Sequence, residues 1–109
     1  MTMAPRATTE APPSTQPRQR KRVHIRIEYT GKGPPGPVLA ERCETLVRML
    51  VEGDAGVIDE RKSGGGAVDI YVITRFADHT VDVARRSSNE LGISARTTIR
   101  IVREERAVR

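Results

Sequence analysis

From Val23 to Tyr29 the chain alternates apolar and polar residues without a break. This is the period of a half-buried strand, with Val23, Ile25, Ile27 and Tyr29 directed inward and His24, Arg26 and Glu28 outward. Gly31-Lys32-Gly33-Pro34-Pro35-Gly36-Pro37 then breaks the pattern, and Pro37 suits the first turn of a helix because its missing donor costs nothing there. Leu39, Cys43, Leu46, Val47 and Leu50 recur at helical spacing, with Glu41, Arg42, Glu44, Arg48 and Glu52 largely elsewhere. Gly53 is expected to end this helix in a left-handed conformation. Val57 to Lys62 is a weaker segment, whose charges at Asp59, Glu60, Arg61 and Lys62 suit a blunted edge strand. Ser63-Gly64-Gly65-Gly66 signals a turn into Ala67–Thr74, the most β-branched stretch of the chain, so the two segments read as a hairpin. A second helix is predicted from a cap at Asp78 or Thr80, with Val81, Ala84, Ser88 and Leu91 inward and Gly92 as terminator. Thr97, Ile99 and Ile101 alternate with Thr98, Arg100 and Val102 in a last strand.

The predicted order is β-α-β-β-α-β, which defines an α+β class and a ferredoxin-like split arrangement. It places two helices on one face of a four-stranded antiparallel sheet of order 4-1-3-2, with right-handed crossovers. The domain is expected over residues 23–104, with 105–109 a charged C-terminal end.

Charge is unevenly distributed along the 109 residues. Arg6, Arg18, Arg20, Lys21 and Arg22 stand against Glu10 alone in residues 1–22, which hold most of the net charge of +5. Pro5, Pro12, Pro13 and Pro17 lie in the same stretch, and its few apolar residues cannot offset the entropy of ordering it. It reads as a disordered basic tail, either a solubilising linker or a contact for phosphates and acidic partners. No run of residues is apolar enough to span a membrane, and the N-terminus has no apolar signal core. The single Cys43 excludes an internal disulfide, and a cytoplasmic location is expected.

Candidate chemistry is sparse. Cys43 lies on the apolar stripe, where a packing role is the ordinary one for a free cysteine. His24 and His79 are too few and too isolated for a metal site, and no nucleophile–base–acid grouping stands out. No cofactor is implied. The Gly-Pro loop could let a ligand approach the backbone at a helix N-terminus, beside Lys32, or it could simply be a tight strand-to-helix turn. The outer sheet face is the other candidate. Arg26, Tyr71 and Arg100 lie on it, and four-stranded sheets of this order can stack nucleic-acid bases on aromatics. Tyr71 is the one aromatic placed there, however, and Ile73 and Val102 make the face half apolar, which suits contact with another subunit.

Pro35-Gly36 leading into Val38-Leu39, then Gly56-Val57-Ile58, then the hairpin into Val68–Thr74, resemble an ACT domain, a regulatory module, over residues 23–101. The resemblance implies pairing with another copy and a small effector held between the first strand and first helix, at Gly33, Gly36 and Val38. Gly33 stands two positions before the proline of the Pro-Gly pair, where that family often has an acidic residue. An acylphosphatase has the same architecture, but it would need an asparagine on the second strand, which offers Asp59, Glu60 and Arg61 instead.

The expectation is therefore a non-catalytic regulatory or protein-interaction module, a homodimer or bound to a protein partner, possessing at most a small-molecule effector site. The alternative is an RNA-binding protein using Arg18, Arg20, Lys21, Arg22, Arg26, Tyr71 and Arg100.

Overall fold

The structure, a computed structural model, describes residues 20–102; residues 1–19, which include Arg18, and residues 103–109 lie outside them. Alternation carries β1 (Lys21–Glu28), in which Val23, Ile25 and Ile27 are fully buried and the residues between them are not. α1 (Pro37–Glu52) starts on its proline, and Cys43, Leu46 and Leu50 form its buried stripe. β2 (Val57–Gly64) and β3 (Ala67–Thr74) make a hairpin closed by Gly65 and Gly66, both at positive φ, the backbone a two-residue turn of matching twist requires. α2 (Ala77–Glu90) and β4 (Thr97–Val102) complete the chain, joined through a single 3-10 turn, Ser94–Arg96.

The sheet is antiparallel and open, in the order β2-β3-β1-β4; counted from the β4 edge this is 4-1-3-2. Val23, Ile25 and Ile27 of β1 and Val68, Ile70 and Val72 of β3 join one core with Cys43, Leu46 and Leu50 of α1 and Val83 and Ala84 of α2. Both helices therefore cover the same face. At about 25 cal/mol per Å² of apolar area, this continuous aliphatic burial is the main favourable contribution to folding.

Several boundaries and phases differ from the sequence reading. The expected tail of residues 1–22 is too long by two, because Lys21 and Arg22 pair with Thr74 and Ile73 across β1 and β3. β1 ends at Glu28, so Tyr29 is a loop residue, half-buried against the core, and its hydroxyl donates to Gly33 O at 2.6 Å. Neither Asp78 nor Thr80 caps α2. Phe76 occupies the N-cap, and its amide donates to the Thr74 hydroxyl at 2.9 Å.

The inward stripe of α2 is Thr80, Val83, Ala84, Ser87 and Ser88 rather than one running through Val81. Two of the three polar residues there, Thr80 and Ser88, find acceptors for their hydroxyls. Thr80 donates to Ala55 O, and Ser88 to Arg85 O at 3.1 Å. Gly53 is not left-handed; Asp54 takes the positive φ of 56°. Gly53 is needed for space instead, since a Cβ there would sit 3.0 Å from Val83 Cγ1 where the helices meet. Gly92 does end α2 at positive φ, with Ile93 N–H returning to Ser88 O at 3.0 Å.

Candidate interaction surface

Strand alternation dictates the composition of the uncovered face. What faces away from the core in β1 is Arg22, His24 and Arg26, and in β3 it is Asp69, Tyr71 and Ile73. Register sets them side by side, His24 opposite Tyr71 and Arg26 opposite Asp69. The His24 and Tyr71 rings stack with centroids 4.5 Å apart and planes 9° from parallel. The Arg22 guanidinium lies 4.3 Å from the centre of the Tyr71 ring, a cation–π arrangement. The Asp69 carboxylate accepts from His24 Nε2 at 2.7 Å and from Arg26 Nη1 at 3.2 Å.

The edge strand β2 completes the network. A register shift between Ile58 and Glu60 adds one residue, Asp59, to that strand. Asp59 and Glu60 then both reach Arg22, at 2.9 and 3.0 Å. Beyond the bulge Glu60 and Lys62 point outward, while Arg61 points to the helix side and bonds Glu44 of α1. At the other edge β4 pairs with β1 without a register shift. Arg100 stands beside His24 there and has no hydrogen-bond or ion-pair partner among the described residues.

One end of this face is apolar. Val57 is 69 % exposed and Val102 37 % exposed, and Ile73 and the stem of Arg22 lie between them in the same cross-strand row. Arg22 Nε is buried without an acceptor, held under the stack and the two carboxylates.

Among the residues singled out for nucleic-acid binding, the structure gathers Arg22, Arg26, Tyr71 and Arg100 on this one face. Arg20 is exposed and precedes β1; Arg18 lies outside the described residues. Arg22 and Arg26 already hold carboxylates, and the Tyr71 ring is covered by His24 and Arg22, so bases would have to displace internal contacts. Sequence patterning placed Arg26, Tyr71 and Arg100 on the face but left Arg22 in the tail and did not give the contribution of β2, because the bulge at Asp59 is invisible in the alternation.

The loop residues Gly33, Gly36 and Val38 form a separate, exposed surface. Gly33 O is taken by Tyr29, and Gly36 O by the Ala40 amide at 2.9 Å. A Cβ on Gly33 or Gly36 would meet nothing within 4 Å, so neither glycine is required by a close approach. Val38 is 64 % exposed. A groove of about 520 Å³ lies at the opposite end of the sheet, between Lys21, Arg75 and the start of α2.

The other chemistry-bearing side chains serve the fold. Burial pushes the Cys43 thiol up from its ordinary value, with the Glu44 carboxylate adding to the rise and Arg61 opposing it. A raised thiol pKa leaves little thiolate, the reverse of what a nucleophile needs. His79 Nε2 donates to Gly53 O at 2.8 Å and ties the start of α2 to the end of α1. Among the described residues there is no cluster of three or more metal-ligating side chains, and no helix long and apolar enough to cross a membrane. No protein-family model matches the chain, and no curated protein and no solved structure matches it.

Proposed function

We propose that the protein is a ferredoxin-like, non-catalytic interaction module, and that the uncovered face of its sheet is the surface a protein partner occupies. The observation that carries this reading is the character of that face. Its charges are mostly paired internally, so they can be covered at modest desolvation cost, and an aliphatic row adjoins them, in which Val57 and Val102 are exposed and Ile73 is half-buried. A surface built for phosphates would instead leave its cations free and its aromatic ring open. That argument weighs against RNA as the ligand of this face, although Arg100 has no partner among the described residues. An ACT-like effector role for Gly33, Gly36 and Val38 would have to act on open loop surface, and so ranks below the sheet face.

The test is Ile73→Asp in the full chain. It puts a charge into the apolar row without touching the core. Self-association or partner binding, followed by sedimentation velocity, should be lost while circular dichroism stays unchanged. Association that survives the substitution, or tight binding of single-stranded RNA that Tyr71→Ala removes, would overturn the reading.

A further inference from the structure

The arrangement of charges on the open face points to one particular occupant. Three cross-strand rows run from β4 to β2. The first reads Val102, Arg22, Ile73, Val57; the second Arg100, His24, Tyr71, Glu60; the third Thr98, Arg26, Asp69, Lys62. In the second row a cation lies at one end and a carboxylate at the other. In the third, a cation and a carboxylate hold the two middle positions.

We infer that the face binds a second copy of this chain, related by a two-fold axis parallel to the strands and lying between β1 and β3. This rests on the proposed role of the face as a protein-binding surface. Rotation about that axis lays β4 of one copy over β2 of the other. Each row then meets its own reverse: Arg100 faces Glu60, His24 faces Tyr71, Arg26 faces Asp69 and Val102 faces Val57. Every pair is attractive or apolar, apart from the neutral Thr98 against Lys62 and the Arg22 stem against Ile73. Arg100 gains the carboxylate it lacks among the described residues of its own chain. Two sheets stacked with their strands roughly aligned is also a common packing of sheet on sheet.

The competing two-fold, in the sheet plane but perpendicular to the strands, fails on charge. It would set Arg22 against Arg26, Arg100 against Arg100 and Glu60 against Glu60. Pairing through the β4 edge brings Arg100 no carboxylate, because β4 carries none over Thr97–Val102. The face is four strands wide at about 4.8 Å spacing, so the contact would bury on the order of 1,000 Å² in total, at the lower limit of specific interfaces. A reversible dimer with micromolar dissociation is the expected result.

Charge exchange tests the register in the full-length chain. By sedimentation equilibrium the natural protein should dimerise, and R100E and E60R should each weaken the dimer about tenfold or more. An equimolar mixture of the two variants should regain it, since each then supplies what the other lost; the chain carrying both changes should regain it as well. A monomeric natural protein, single variants that dimerise normally, or a mixture that stays monomeric would each overturn the inference. Should E60R fail to fold, because Glu60 also holds Arg22, R100E must lose the dimer where R100Q only weakens it; equal behaviour of the two counts against the register. Failure of this inference is separable from failure of the broader reading. If Ile73→Asp abolishes the dimer but charge exchange does not rescue it, the face stands and the register falls. If Ile73→Asp leaves the dimer intact, both fall.

Discussion

The two faces of the sheet are built from the same strands and do different work. On the inner face Val23, Ile25, Ile27, Ile70 and Val72 are fully buried under two helices. On the outer face the alternate residues of β1 and β3 form a stack and a chain of ion pairs, with no helix of the described residues above them. The inner face obtains its stability from removing apolar surface from water, a contribution that salt hardly touches. The outer face gains less from its ion pairs, which lie at the surface or half-buried beneath it and which salt partly screens. A face that holds itself in order without supplying the fold's stability is free to serve binding.

That contrast can be broken at graded cost. The largest effect is expected from Leu46→Ala, which empties a fully buried position of the helix layer. It should lower the unfolding free energy by about 2–5 kcal/mol in urea titrations, with little dependence on ionic strength. Thr80→Val keeps the shape of a fully buried side chain but leaves Ala55 O without its donor. A loss of about 1–3 kcal/mol should follow by thermal or urea unfolding, and a neutral result would mean that the hydroxyl is not needed where it lies. Asp69→Asn, on the outer face, should cost about 1 kcal/mol or less and should cost less still at high salt. If it cost as much as Leu46→Ala, the outer network would be holding the fold together and the two faces would not be divided as described.

The difference between the faces also explains what could be read from the chain beforehand. β1 is plain because strict alternation and burial coincide in it, and β3 because it is a β-branched run behind a glycine turn. α1 is plain because its apolar residues fall on one stripe that begins at a proline. α2 is less so, since Thr80, Ser87 and Ser88 face the core, Thr80 with its hydroxyl bonded to Ala55 O across the helix layer and Ser88 with its own bonded to Arg85 O, which shifts the apparent apolar phase toward Val81. Arg22 was assigned to a tail because charge and neighbouring prolines suggested one. It is a strand residue because Tyr71, Asp59 and Glu60 receive it, and all three are distant in sequence. Side-chain identity was thus readable one strand at a time, while pairing across strands depended on register and on one bulge.

Asp59 is the extra residue at that bulge. On either side of it the pairing keeps a regular alternation, Ile58 with Val72 and then Glu60 with Tyr71. Loss of this single codon would therefore leave every later partner in place while straightening the outermost strand. That edge would then lose its bulge and one carboxylate, two of the devices that keep an open strand from recruiting passing chains, and would rely on Glu60, Arg61 and Lys62 to stay single.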